Sequence, residues 1–335
     1  MKLDFFARRN HYIDHLAPVW LKLPQEKRGR FYVSAPVLEY AIQEIGPHGI
    51  VLFEGNTPAG SCPILTCAYG DMGRAARNLE RKIISMEHGT GHAFGTAAYP
   101  NGKGKRDLVD LFLMPNEYTA NLSLSIRATR CEVIGTPKTD TFISMPMRDN
   151  LDDPVIGIAF HWGGKNAIPP ESGNAWEYYR DMLPALAKRY KMIGHGHPLS
   201  IDEFKPAFES AGIEWVSDFR EVVRRADIFI NDLSSVMYEF MTTGKPVIVL
   251  NAPWFRRSVN WGIRFWDYSD VGINVEKPAD LFPAIDRTLA NYRDICSAER
   301  IRAAADLYPY LGRAAERAVG VLLDYLDELE EGLGL

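Results

Sequence analysis

Two stretches of this sequence put side chains suited to proton transfer or phosphate binding directly after an apolar run. In Ile83-Ile84-Ser85-Met86-Glu87-His88-Gly89-Thr90 the run breaks into a loop spaced by glycine. An imidazole there, with an ordinary pKa near about 6.5, is mostly neutral at pH 7 and can accept a proton from a hydroxyl. His88 is therefore the first choice for a general base. In Ile228-Phe229-Ile230-Asn231-Asp232-Leu233-Ser234-Ser235 the run opens into polar residues that start a helical pattern. Backbone N–H groups at a helix start, with the positive end of the helix dipole, favour a phosphate by about 0.3–2 kcal/mol, and Ser234 and Ser235 add hydroxyl donors. Glu239 follows Ser235 by four residues, one turn along the same helix face, where a carboxylate can accept both hydroxyls of a ribose. Simple capping by Asp232 or Ser234, with Glu239 solvated, is the competing account.

Two further apolar runs end in the same manner. Gly194-His195-Gly196-His197-Pro198 offers glycines that let a ligand approach the backbone, and Pro198 fixes the chain so that His197 points away from the strand. Phe160-His161-Trp162-Gly163-Gly164-Lys165 offers Lys165 as a point charge for a pyrophosphate. A polar turn with solvated side chains explains either one without a ligand. Asn10-His11-Tyr12 opens a helix after the first strand, so His11 either lines the same opening or serves the core or a cap. A metal site from His88, His92, His195 and His197 is the rival reading. Histidine pairs at that spacing normally bind metal from a helix, and Gly89 and Gly91 argue against one, so no metal is expected.

The elements that must hold these residues alternate between short β-rich runs and helical periods, the pattern of parallel sheets built from βαβ units. In the first half strands are expected at Asp4-Phe5-Phe6, Arg30 to Val33, Gly49 to Phe53, Cys62 to Thr66, Lys82 to Met86, Val109 to Met114 and Cys131 to Ile134. Helices are expected over His11 to Leu23 and Glu117 to Ala128. The stretch Thr141 to Pro154, with its prolines and aspartates and no sustained period, marks a boundary between domains 1–145 and 150–335. The second domain restarts with strands at Val155 to Phe160, Met192 to Gly194, Ile213 to Val216, Asp227 to Ile230 and Pro246 to Leu250, separated by helices. The tail from Ser297 reads as two helices, with Ala315, Val319, Leu322, Leu323 and Leu326 forming an apolar stripe that packs on protein. In two such Rossmann-like domains facing across a cleft, ligands bind where strands end and helices begin.

With 335 residues the chain is long enough for two cores, and 46% hydrophobic and 24% charged residues place it among globular proteins rather than disordered or fibrous ones. Lys and Arg total 38 against 43 Asp and Glu, which leaves no global basic field for duplex nucleic acid. Cys62, Cys67, Cys131 and Cys296 form no close pair, as expected of thiols in a reducing compartment. No apolar run approaches the roughly 18 residues of a membrane span. The cytoplasm is the expected location, with contact at the inner membrane face left open.

With these motifs assembled, the chain resembles the CDP-glycerol glycerophosphotransferase family of teichoic-acid polymerases, whose fold is of the GT-B type. His88-Gly89-Thr90 matches its H-G-T, and Gly135-Thr136-Pro137-Lys138-Thr139-Asp140 matches G-x-P-R-x-D. His197-Pro198 matches H-P, and Asp232-Leu233-Ser234-Ser235 with Gly244-Lys245-Pro246 matches D-Y-S-S followed by K-P. Lys138 stands where the family has arginine, and Leu233 where it has tyrosine. The resemblance implies that His88, in its setting of Gly89 and Thr90, is the catalytic base for an acceptor hydroxyl. It also implies that His197, Ser234 and Ser235 hold the donor's phosphates, that Glu239 reaches the ribose, and that Lys138 and Asp140 line the cleft. His161, Lys165, His195 and Asp232 complete the expected donor site. The expected partners are a nucleotide-linked donor such as CDP-glycerol and a polyol-phosphate or glycan acceptor, with no other cofactor. A nucleotide-sugar glycosyltransferase or epimerase of the same fold is the alternative function, and a non-catalytic nucleotide-binding protein a further one.

Overall fold

The computed structural model describes residues 1–78, 81–90, 108–124, 130–145, 147–162, 173–255, 266–332 and 334. Short runs of apolar residues, buried on both sides, become strands of two wholly parallel sheets, as expected when helices cover both faces. The chain divides into two compact units. Unit 1 comprises Met1–Thr90, Thr96–Asp140 and Asp306–Leu335, and Thr141–Ala305 lies in unit 2.

In unit 1 the strands are β1 (Leu3–Ala7), β2 (Arg28–Val33), β3 (Ile50–Leu52), β4 (Ile64–Thr66), β5 (Ile83–Met86), β6 (Leu111–Met114) and β7 (Arg130–Val133), in the order β3-β2-β1-β4-β5-β6-β7. All seven coincide with runs read from the sequence. Helix α1 (Asn10–Lys22) follows β1 and buries Ile13, Leu16, Val19 and Trp20. Trp20 meets Phe5 edge-on at 5.1 Å and Phe31 at 5.4 Å, which locks α1 onto β1 and β2.

The tail departs from expectation in where it belongs. Helix α12 (Ala314–Gly332) carries the foreseen apolar stripe, but Ala318, Val319, Leu322, Tyr325 and Leu326 join the core of Leu3, Phe5, Leu16 and Trp20 in unit 1. The domain expected to run from 150 to 335 thus ends at Ala305. A stripe at helical spacing states that a helix is buried, not against which sheet.

Unit 2 holds β8 (Val155–Phe160), β9 (Lys191–Gly196), β10 (Glu214–Trp215), β11 (Ile228–Asn231), β12 (Val247–Leu250) and β13 (Gly272–Val275), ordered β10-β9-β8-β11-β12-β13. Phe160, Trp176, Phe204 and Phe208 fill one side of it. Gly194 answers to that packing rather than to a ligand: a Cβ there would lie 2.8 Å from Phe208 of helix α7 (Ile201–Ser210). The single helix read over Ala175 to Tyr190 is two, α5 (Trp176–Tyr179) and α6 (Leu183–Arg189), with Pro184 in the first turn of the second.

Candidate functional site

In each sheet the strand order reverses at one point, between β1 and β4 and between β8 and β11, and the carboxyl ends of those strands are where an open parallel sheet receives a ligand. In unit 2 the residues after β8 and β11 are tied together by one carboxylate. Asp232, fully buried, accepts the His161 N–H at 2.9 Å, the Ala175 N–H at 2.7 Å and the Leu233 N–H at 2.6 Å. Both its oxygens therefore serve main-chain donors. Asp232 thereby shapes the strand-end loops.

The three described imidazoles of unit 2 differ in what they present. His161 Nδ1 lies 3.1 Å from the Gly173 carbonyl and His195 Nδ1 lies 2.9 Å from the Val216 carbonyl. A carbonyl only accepts, so both rings carry a proton on Nδ1. His195 is 9% exposed, with Trp215 stacked at 6.3 Å and Phe219 at 5.3 Å. It is packed within β9, one strand in from the edge of the sheet. His197 has the opposite polarity. Its Nδ1 accepts the Leu199 N–H at 3.1 Å, so its neutral ring carries the proton on Nε2 and offers an N–H donor. The half-buried ring stacks on Trp162 at 5.6 Å, and the Ser200 hydroxyl donates to the Trp162 carbonyl at 3.2 Å, so His197 is held to the end of β8.

Ser234 precedes helix α9 (Ser235–Met241) in extended backbone, and its hydroxyl oxygen accepts the Val236 N–H at 3.5 Å. Ser234 and Ser235 are both half-buried. Glu239 is only 1% exposed, on a helix whose Met237, Tyr238, Phe240 and Met241 are also buried. A ribose-facing carboxylate was expected. The surroundings of α9 enclose it nearly all round, which its spacing from Ser235 does not reveal. Lys165 lies outside the described residues. Lys245, from the K-P motif, is a structural cation: its Nζ donates to the carbonyls of Val223 at 2.7 Å and Ala226 at 3.0 Å, at the end of helix α8 (Phe219–Arg225). Burial pulls its ammonium down to about 8.

In unit 1, His88 stands just beyond β5 against three side chains of α1. Ring centroids lie 5.2 Å away for Tyr12, nearly perpendicular, and 6.2 Å away for both His11 and His15. His11 therefore does join the setting of His88. Its two successors do structural work. Gly89 and Thr90 are buried, and the Thr90 hydroxyl donates to the Leu307 carbonyl at 3.2 Å, as does the Asn116 amide at 3.1 Å. Asn116, which the motif search missed, also accepts the Thr119 N–H at 2.8 Å. The Gly135 to Asp140 motif serves the same returning chain. Asp140 accepts the N–H groups of Ala314 at 2.9 Å and Ala315 at 2.8 Å, capping α12 from a distant part of the sequence. Burial raises its carboxyl above the usual range against the pull of those two bonds. Gly135 sits at φ +81°, and a Cβ would fall 2.3 Å from the Pro309 carbonyl oxygen. Lys138, 7% exposed, lies in the turn between them. Through Gly135 and Asp140 this motif supports the chain that enters α12.

A second pair escaped the motif reading. Arg8, at the end of β1, donates through Nε to Oδ1 of the fully buried Asp71, and its N–H lies 3.3 Å from Oδ2. Arginine directly after a switch-point strand was the available signal. Among the described residues no three His, Cys, Asp or Glu side chains are grouped to hold a metal ion, and His92 falls outside them. No described helix is long and apolar enough to cross a membrane.

Residues 175–305 match the family described as CDP-glycerol:poly(glycerophosphate) glycerophosphotransferase. The matched residues include Asp232 to Ser235 and His197, while His88 and the Gly135 to Asp140 motif precede them. Among solved structures the chain is similar to the wall teichoic acid polymerase TagF, in a variant soaked with CDPG, at 14% identity and a TM-score of 0.68 over 98% of this chain and 90% of that one. It is similar to a UDP-GlcNAc 2-epimerase from Neisseria meningitidis bound to UDP-GlcNAc, at 16% identity and a TM-score of 0.60 over 97% and 100%. A putative UDP-N-acetylglucosamine 2-epimerase from Listeria monocytogenes matches at 14% identity and a TM-score of 0.63 over 98% and 97%. At such identities the likeness speaks to the fold, and it agrees with the α/β class of GT-B type. No curated protein sequence matches.

Proposed function

We propose that this chain, a transferase whose residues 175–305 belong to the CDP-glycerol:poly(glycerophosphate) glycerophosphotransferase family, moves a glycerophosphate or related polyol-phosphate unit from a nucleotide-activated donor to an acceptor hydroxyl. What supports the donor side is the arrangement at the switch point of the second sheet. Asp232 binds the loops after β8 and β11 into one frame, and His197 is held at that frame with an N–H donor on Nε2. Such fixed donors suit the phosphates of a nucleotide diphosphate, and cost no reorganisation when charge builds on the leaving phosphate.

On this reading the reaction is in-line displacement at phosphorus. The acceptor oxygen forms the new P–O bond, the bond to the nucleotide monophosphate breaks, and the hydroxyl proton passes to His88. His197 and the backbone N–H groups at Ser234 and Ser235 balance charge on the leaving group. The scheme needs no metal step and no cofactor beyond the donor. The acceptor is a polyol-phosphate or glycan chain.

Calorimetric titration with CDP-glycerol, CDP, UDP and UDP-GlcNAc tests the donor. CDP-glycerol and CDP should bind, and binding by the uridine nucleotides alone would favour the nucleotide-sugar reading. In a CMP-release assay with a polyol-phosphate acceptor, His88→Ala should slow transfer by about 10²–10⁴ with donor affinity within about twofold, the usual scale of general-base catalysis. Full turnover in that variant would remove His88 from the chemistry.

A further inference from the structure

Arg8 is the first residue beyond β1, and Asp71 lies in helix α3 (Tyr69–Ala75), which follows β4. Their ion pair therefore bridges the two strands at which the first sheet reverses its order. In unit 2 the comparable bridge, Asp232, commits both oxygens to main-chain donors. Here the bridge leaves donors over. Asp71 is fully buried and accepts Nε of Arg8 on Oδ1 and the Arg8 backbone N–H, at 3.3 Å, on Oδ2. The Arg8 side chain is 31% exposed, and its Nη1 and Nη2 have no acceptor among the described residues. A Cβ on exposed Gly70 would meet Nη2 at 3.1 Å and, outside its own helix, no other described atom within 4 Å, so the outer end of the guanidinium borders open space.

From this arrangement we infer that Arg8 is a specificity-determining residue whose outer edge holds a phosphate of the acceptor, with Asp71 as its positioning residue. The inference deepens the transferase reading and rests on it for the source of the phosphate. A planar fork fits two phosphate oxygens at once, where an ammonium offers only a point charge. The buried carboxylate already fixes the side chain, so little rotamer freedom is left to lose when the anion binds. Burial raises the Asp71 carboxyl above the usual range, Arg8 pulls it back, and Arg74 acts on it as well. Its single negative charge is thus shared between two guanidinium groups, and it lies where no ligand meets it. Asp14 and Glu87 are further carboxylates that, with Asp71, act on Cys67, and Asp14 accepts the Tyr40 hydroxyl. Tyr12 is within reach of the charges of Arg8, Arg9 and Asp71, and its ring lies 5.2 Å from that of His88. Arg8 and the proposed base therefore share a neighbour, as a phosphate and a hydroxyl of one acceptor require.

The test first reads the anion without any transfer. Glycerol 3-phosphate and, separately, glycerol are titrated into the full wild-type chain labelled with nitrogen-15 arginine, and the Arg8 Nε signal is followed by NMR. Glycerol 3-phosphate should move that signal saturably, and glycerol should leave it in place. In the CMP-release assay, Arg8→Lys keeps a positive charge opposite Asp71 and removes the fork. It should raise KM for a polyol-phosphate acceptor about 5- to 30-fold, with kcat and KM for CDP-glycerol within about twofold. Asp71→Asn should raise the acceptor KM in the same direction and displace the Arg8 Nε signal of the free protein. An Arg8 signal that ignores glycerol 3-phosphate would overturn the proposal whatever the variants do to folding, and so would an acceptor KM unchanged in Arg8→Lys. A rise in KM for CDP-glycerol alone would overturn it by giving the phosphate to the donor. A signal that responds in a chain releasing no CMP would keep the anion subsite and reject the transferase reading.

Discussion

His197 commits one ring nitrogen to the Leu199 N–H, which leaves its proton on the other. In His197→Asn the side-chain oxygen can still accept that N–H, while the outer donor is gone. Affinity for CDP-glycerol should fall about 5- to 30-fold, the worth of one hydrogen bond to a charged group, with the melting temperature unchanged within about 1 °C. Calorimetry and a thermal scan decide it, and unaltered affinity would take His197 out of the donor site. Asp232→Asn should behave in the reverse sense. The amide places an NH₂ where an oxygen accepted a buried N–H, so urea unfolding of unit 2 should show a loss of about 2–4 kcal/mol. An unmoved midpoint would mean that the loops do not depend on the carboxylate. These two residues also explain what the sequence could reveal. His197, Asp232, Ser234 and Ser235 were legible as residues after strands. Which of them face outward was not, because the partners of Asp232 lie 71 and 57 positions away. The same holds for Asp140, whose carboxylate reaches Ala314 and Ala315.

Strands whose residues are apolar throughout, such as Leu111–Met114 and Val247–Leu250, were readable because burial on both faces leaves no alternation to misplace. The edge strand β13 was not found: Gly272-Ile273-Asn274-Val275 is half-polar and only four residues long. Turn motifs were readable as turns but not as supports. Gly135→Ala should force φ out of its observed region and drive a Cβ into the Pro309 carbonyl, costing about 2 kcal/mol or more and loosening α12. Faster amide exchange along 314–332 would register it, and native protection there would refute it. Lys245 makes a prediction about pH. Its folded pKa of about 8 lies below the unfolded value near about 10.5, so the unfolded chain binds the proton more tightly in between. Its share of stability is therefore lowest below pH 8 and rises as pH approaches about 10. Relative to Lys245→Met, the wild type should gain about 2–3 kcal/mol across that window in urea midpoints. Parallel curves for the two proteins would show that the amine titrates normally.

Unit 2 is built almost wholly from one continuous run, Thr141–Ala305, whereas unit 1 needs both the first 140 residues and the last thirty. A chain ending after Ala305 loses the eight buried side chains of α12, at about 1.5–3 kcal/mol for each large apolar one, which is comparable with the whole stability of a domain. Unit 1 should then lose its protease resistance, while unit 2 keeps a cooperative transition and its nucleotide affinity. Limited proteolysis and calorimetry on the truncated chain read both. An intact unit 1 would show that α12 is dispensable to its core. The discontinuity also sets the timing of folding during synthesis. When Asp140 leaves the ribosome, every strand of the first sheet exists, yet roughly two hundred residues, or about 10–40 s of translation, separate it from the helix that closes its core. The nascent chain carries an open apolar face through that interval, which makes this half of the protein the one most dependent on chaperone shelter.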